Sequence, residues 1–202
     1  MDIEILEGVF DANEKIAREN DELFRGSGVL AMNLLASPGA GKTSLIAATL
    51  ELLKGRQNVG VIEGDIASSV DADKLKVYDI PVVQINTGGE CHLEAGMVGN
   101  ALSNLPLQDI DILIIENVGN LICPVEFNLG EDRKMMIASV PEGDDKPFKY
   151  PSIFHTVDVV VISKIDLLPY VNFNMDAFVK TIKDINQKTE IFQVSCTTGE
   201  GI

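Results

Sequence analysis

The run Ala36-Ser37-Pro38-Gly39-Ala40-Gly41-Lys42-Thr43 holds the parts of a phosphate-binding loop. Glycines let successive backbone N–H groups turn toward phosphate oxygens. A lysine reaches the outer phosphates, and a Ser or Thr hydroxyl can hold Mg2+. An apolar run over 29–36 precedes the loop and a helical pattern over 42–54 follows, so a helix N-terminus adds its own attraction for anions. Phosphate contacts are assigned to Pro38, Gly39, Ala40, Gly41, Lys42, Thr43 and Ser44. One position is irregular: Ala36 stands where the usual G-x-x-x-x-G-K-T pattern has glycine. That position needs a small residue more than it needs glycine.

Phosphoryl transfer also requires carboxylates for the metal and for water. Asp65 follows a second apolar run in Glu63-Gly64-Asp65, and Glu116 closes a fourth in Ile114-Ile115-Glu116-Asn117-Val118-Gly119. Together with Lys42 they are the catalytic candidates; Thr43, Asp65 and Glu116 are the candidate Mg2+ set. Asp65 suits the metal shell better, and Glu116 suits a water or a water-bridged contact. Each is also the kind of carboxylate that caps a helix or closes a loop, and the sequence leaves open which one positions water.

Val159-Val160-Val161-Ile162-Ser163-Lys164-Ile165-Asp166 ends an apolar run in S-K-x-D, which resembles the guanine-reading N-K-x-D element of GTPases. A carboxylate at Asp166 would accept from the ring N–H and the exocyclic amine of guanine, a donor pair that adenine lacks. The Lys164 stem would lie along the base. Ser163 replaces the usual Asn, which puts one supporting hydrogen bond between loops at stake. Thirty residues on, Ser195-Cys196-Thr197 resembles the loop that offers a backbone N–H to the guanine carbonyl. Two such elements in this order favour GTP over ATP.

Three further stretches narrow the resemblance. They are Thr87-Gly88-Gly89-Glu90-Cys91-His92-Leu93, Glu116 through Pro124 (Asn117-Val118-Gly119-Asn120-Leu121-Ile122-Cys123-Pro124), and Glu142-Gly143-Asp144-Asp145-Lys146-Pro147. With the phosphate loop they resemble the GTPases that insert nickel into hydrogenases, the HypB family of the SIMIBI class, from the first helix to residue 200. The resemblance implies a slow, Mg2+-dependent GTP-hydrolysing metallochaperone that forms a GTP-dependent homodimer. Its implied partners are hydrogenase maturation proteins and the precursor of the hydrogenase large subunit.

Cys91 and His92 supply one thiolate and one imidazole, borderline ligands suited to Ni2+ or Zn2+. An adjacent Cys-His pair is by itself more often incidental than a ligand set; the family resemblance reverses that. Two ligands do not complete a four-coordinate site, whereas a two-fold dimer would present the pair twice. Cys123 is a third candidate, seven residues after Glu116. Nucleotide state would then reshape the metal site through the shared loop. Cys196 reads as a small residue of the base loop, and His155, with no ligand partner nearby, as structural. Lys146 lies in a charged loop; it reads either as a solvated lysine or as one reaching a partner subunit's nucleotide, as an arginine finger does.

Two departures from relatives matter. Many carry a His-rich tract or an N-terminal Cys-x-x-Cys-Gly-Cys site, and this sequence, with two histidines, has neither. Relatives also continue past the equivalent of Ile202 into a helix that covers the sheet, so an apolar face is expected there or the chain is a truncated one. Alternative readings are a urease-type nickel-delivery GTPase, a P-loop small-molecule kinase and a passive metal-binding module. The urease family places a proline between the Cys and His; a kinase needs an arginine-rich lid and leaves S-K-x-D unexplained.

The elements that must position these residues alternate. Strands are expected over 29–36, 59–63, 81–86, 111–116, 134–140, 157–163 and 190–195, and helices over 2–25, 42–54, 71–78, 93–103 and 175–186. Residues 141–151, with three prolines and many charges, read as an ordered surface loop. Such alternation means βα units: an α/β, three-layer P-loop NTPase fold with a mostly parallel sheet and helices on both faces. Ligands then sit beyond the carboxyl ends of the strands, where every motif above falls. Residues 1–28 are expected as an N-terminal amphipathic helix and linker, and 29–202 as the P-loop domain carrying the metal site, one globular unit overall. The leading helix would either lie on its own domain or bind a partner.

Composition sets outer limits. Among 202 residues, 31 acidic against 16 basic side chains give a net charge of −15. Nucleic acid and anionic lipid would be repelled, so neither is an expected partner, and an anionic ligand needs a local device such as the Lys42 loop. No apolar stretch nears the roughly 18 residues that span a bilayer. The first residues lack the basic and apolar regions of a secretory signal, which sets a cytoplasmic expectation with Cys91, Cys123 and Cys196 reduced.

Overall fold

A computed structural model describes residues 9–66 and 74–202. Within them, strands β1 (Leu30–Ala36), β2 (Val59–Asp65), β3 (Val82–Asn86), β4 (Ile112–Glu116), β5 (Arg133–Ser139), β6 (Val159–Ser163) and β7 (Glu190–Gln193) build one sheet. Its order is β3-β2-β4-β1-β5-β6-β7, and every pairing is parallel. The register aligns Glu63 with Glu116 and Ser139 with Ser163, so the functional candidates line up along one carboxyl edge.

Side-chain alternation along β1 separates the two faces. Ala31 and Leu35 face one layer, where α1 (Val9–Ser27), α3 (Ala95–Leu102), α5 (Pro151–Thr156) and α6 (Met175–Ile185) pack around Phe24, Leu93, Phe154 and Phe178. Leu34 and Ala36 face the other, with Ile46 and Leu50 of α2 (Lys42–Leu53). The expected three layers are present.

Helix α1 lies on its own domain, packed chiefly against α3. Its buried seam is Asn13, Ala17, Asn20 and Phe24. Only two of the four are apolar, so backbone fit carries the docking: a Cβ on Gly130 would come 2.8 Å from both Asn20 Cβ and Asp21 N. The helix ends where Gly28 turns left-handed at φ 72, with Val29 N–H donating to Phe24 O. The part of the expected helix before Val9 lies outside the described residues.

Two expectations are adjusted. Residues 71–73 of the helix expected over 71–78 lie outside the described residues; 74–75 are helical, and Lys76–Tyr78 continue them as a 3-10 turn. The expected loop over 141–151 is instead helical: a 3-10 turn Val140–Glu142 and a short helix α4 (Lys146–Lys149), followed at once by α5. Pro141, Pro147 and Pro151 each sit in a first turn, where a missing N–H costs nothing. Ser139 and Glu142 close a capping box around the first of them.

On the far side of α2, an apolar groove runs along Leu45, Leu52, Met135, Phe192, Val194 and Ile202. Among the described residues no helix is long and apolar enough to cross a membrane.

Candidate functional site

Between β1 and α2 the chain takes backbone angles that strongly favour glycine: φ 77 at Gly39 and φ 105 at Gly41, which caps α2. Ala36 is fully buried at the strand end, and no positive φ falls on it, so alanine fits where the motif usually has glycine. Lys42 and Thr43 open α2, with Ser44 exposed beside them. Pro38 is exposed and lies against Gly119, where a Cβ would be 3.1 Å from Pro38 N.

The carboxylate expected to face the loop does so. Glu116 is 2% exposed; Thr43 Oγ1 donates to its Oε1 at 3.3 Å, and Lys42 Nζ lies 3.8 Å from the same oxygen. Asp65, at the end of β2, lines the same cleft as Lys42, Glu116, Gly39 and Gly119. A third carboxylate also lines it: Glu63, 2% exposed. Sequence reasoning passed over Glu63 as a strand residue, although its alternation with Asp65 was the available signal.

The base-side loops are tied to the phosphate loop. Ser163 Oγ donates to Ala40 O at 2.8 Å, and Lys164 Nζ donates to Gly39 O at 2.6 Å. The bond put at stake by Ser163 is therefore made by the serine hydroxyl. Lys164 holds this geometry at φ 60, a conformation that costs a non-glycine residue of order 1 kcal/mol or more. Ser195 Oγ donates to Asp166 Oδ1 at 2.6 Å and also accepts from Thr198 N–H, which sets the carboxylate's orientation. Cys196 is half-buried, and burial, with the Asp166 charge beside it, pushes its thiol pKa up. Thr197 is exposed.

Lys146 reaches its own chain's phosphate loop. Its Nζ lies 3.1 Å from Glu142 Oε1, donates to Ser37 Oγ at 3.3 Å, and sits 5.3 Å above the Tyr150 ring. Burial pushes the Glu142 carboxyl up, but hydrogen bonds from Ser37, Ser139 and Lys146 outweigh it and hold its pKa below the usual value. Glu142 and Ser37 were not singled out from sequence; the S-x-x-E spacing of Ser139 and Glu142 was the available sign.

The sulfur candidates meet on the other face of the sheet. Cys91 Sγ is 3.8 Å from His92 Nδ1. Tetrahedral ligands at ordinary Zn–S and Zn–N distances would lie about 3.6 Å apart, so the pair fits one edge of such a site. Cys123 beside it, ahead of burial, raises the Cys91 thiol pKa. His92 is 8% exposed; its ring lies on Phe127 at 4.0 Å, Phe127 in turn on Phe10 of α1 at 5.3 Å, and its Nε2 is 3.6 Å from Glu94 Oε1. Among the described residues, no three His, Cys, Asp or Glu side chains are grouped so as to hold a metal ion. His155 lies in the last turn of α5, far along the chain from this cluster.

A parallel sheet with a glycine loop between β1 and α2, and carboxylates at the ends of β2 and β4, defines a P-loop nucleotide-binding protein. The family model described as CobW/HypB/UreG, nucleotide-binding domain, matches residues 30–193. The hydrogenase maturation factor HypB of Azotobacter vinelandii is 44% identical over 200 residues, covering 99% of this chain and 66% of that protein. The chain thus spans about two thirds of the length of that curated relative. A crystal structure of HypB from Helicobacter pylori in complex with nickel superposes with TM-score 0.89 at 37% identity, covering 92% of this chain and 87% of that one. HypB from Archaeoglobus fulgidus gives TM-score 0.89 at 39% identity, covering 95% and 93%. The chain belongs to the HypB family.

Proposed function

We propose that this chain is a GTP-hydrolysing metallochaperone that carries nickel for the maturation of a [NiFe]-hydrogenase, acting in the cytoplasm as a GTP-dependent homodimer. Residues 1–28 serve as scaffold, and 29–202 carry both the GTP and metal sites as one unit. Partner maturation proteins and the precursor of the hydrogenase large subunit would receive the metal.

The observation that carries the reading is the loop 116–123. It begins at Glu116, in contact with Lys42 and Thr43, reaches Cys91 through Asn120, whose Nδ2 donates to Cys91 O at 3.3 Å, and ends at Cys123. One short segment thus touches both a phosphate site and a thiol site. Guanine preference rests on Asp166, held by Ser195, with Lys164 and the loop Ser195-Cys196-Thr197 around it.

Thr43, Asp65 and Glu116 fit a hard divalent cation: one hydroxyl and two carboxylates around a single cleft. Mg2+ bound there would offset phosphate charge during hydrolysis. Lys42 would neutralise the outer phosphates. Backbone N–H groups from Gly39 through Ser44 would bind and orient them, and Glu116 or Asp65 would hold the attacking water. Lys146 would act on the partner's nucleotide after leaving Ser37 and Glu142. Nickel, the cargo, would bind Cys91, His92 and Cys123, with a second copy completing the set; Zn2+ would compete through the same thiolates.

Titrating nickel into protein loaded with a non-hydrolysable GTP analogue tests the assignment. Cys91→Ala is expected to bind at least about 100-fold more weakly than the wild type, beyond the 10–100-fold typical of residues that only support ligands. Equal affinities would reject the metal site.

A further inference from the structure

We propose that Asn117 and Asn120 are positioning residues that convert nucleotide state into the geometry of Cys91 and His92. This rests on the metallochaperone reading above.

Glu116 and Asn117 are adjacent at the end of β4, so they point to opposite faces of the sheet. Glu116 faces Thr43 and Lys42. Asn117, fully buried, faces the layer of α1 and α3. Its Oδ1 accepts from Leu93 N–H at 3.1 Å and from Val118 N–H at 2.9 Å, and its Nδ2 donates to Asn33 Oδ1 at 3.2 Å. Three residues on, Asn120 Nδ2 donates to Cys91 O at 3.3 Å, while its Oδ1 accepts from Ile122 N–H at 3.0 Å. The two side chains therefore hold the peptide groups on either side of His92: the Cys91 carbonyl and the Leu93 N–H.

The far side of that segment is fixed. Ala95 N–H donates to Asn13 Oδ1 at 2.8 Å, and Asn20 Nδ2 donates to Ala95 O at 2.9 Å. Asn33 is anchored in turn by donating to Glu131 Oε1 at 3.0 Å. Leu93 packs where a Cβ on Gly64 would come 2.8 Å from its Cδ1, so β2 leaves it no slack. The movable partner is the loop itself, which meets the phosphate loop where Gly119 approaches Pro38. A phosphate group that shifts Glu116 or Gly119 therefore pulls on the Cys91 carbonyl and the Leu93 N–H, along a path buried at Asn117 and half-buried at Asn120.

The test compares nickel affinity in the GDP state with that in the GTP-analogue state, for the full chain. The wild-type ratio is expected on the order of tenfold. Asn120→Asp keeps the acceptor used by Ile122 N–H and loses only the donor to Cys91 O. Asn120→Ala, which adds no charge, controls for the new carboxylate; in both variants the ratio is expected to fall to about threefold or less. Asn117→Ala is expected to bring the ratio to about one; if that variant does not fold, the Asn120 variants decide alone. A tenfold ratio retained in the folded variants overturns the clamp and leaves the metallochaperone reading standing. A wild-type ratio of one removes the coupling itself, and the clamp with it.

Discussion

The nucleotide side and the thiol side of this molecule are built to different degrees of completion. On the nucleotide side, the phosphate loop is laced to the base loops through Ser163 and Lys164, to the β4 carboxylate through Thr43, and to the α4 segment through Lys146. On the thiol side, Cys91 pairs with His92, with Cys123 beside it, but no three ligands group together among the described residues. A site whose loops are already hydrogen-bonded to one another within one chain can be set before its ligand arrives. A site that stops at pairwise contacts suits a ligand that must be acquired and released, and it leaves room for a second copy to finish it.

The comparison predicts that damage on the nucleotide side stays there. Asp166→Asn replaces the acceptor that would face two guanine donors. GTP affinity should fall about 100-fold, since a site that hydrogen-bonds its ligand rejects a mismatch strongly, while ATP affinity moves less than about threefold. Nickel affinity of the nucleotide-free protein should move less than about twofold. Isothermal titration of all three ligands checks this; a nickel affinity that falls alongside that for GTP would show the two sites to be one.

On the thiol side, Phe127 is the residue to change. Its ring supports the buried His92 ring and links it to Phe10. Phe127→Leu keeps an apolar filler but removes the flat surface, so nickel affinity should drop about tenfold, in the range typical of residues that orient a ligand. GTP affinity without nickel should hold. An unchanged nickel affinity would mean that His92 is core rather than ligand.

Legibility in the sequence divides along the same line. Strong periodic runs put the strands in place to within a few residues, because a buried parallel strand needs continuous Val, Ile and Leu whatever surrounds it. Gly39, Gly41, Lys42 and Thr43 were readable for the same reason: φ values of 77 and 105 admit little but glycine. The stretch 141–151 was misread as loop since its prolines, which start helices as well as break them, could not be assigned a role without the Ser139–Glu142 cap. Phe127, Asn117 and Asn120 were not legible as site residues. Their importance lies in contacts with residues 24 to 117 positions away, and no local pattern encodes such partners.

The smallest predicted effect tests how completely the nucleotide side is set. Glu142 accepts from Ser139 N–H and Oγ and pairs with Lys146, which itself donates to Ser37 of the phosphate loop. These bonds favour the charged carboxylate, so its folded-state pKa lies below the ordinary 4.5. Between the folded and unfolded values the unfolded chain binds more protons, and stability there rises with pH. The contribution is complete above about pH 4.5 and is lost as pH falls through the lower folded value. Glu142→Gln keeps an acceptor for Ser139 N–H but loses the charge. It should lower the melting temperature by about 2 °C at neutral pH, and the gap to wild type should close below about pH 4.5. A gap that persists unchanged into acid would mean that Glu142 acts through packing, and that Lys146 is free to leave Ser37 at little cost.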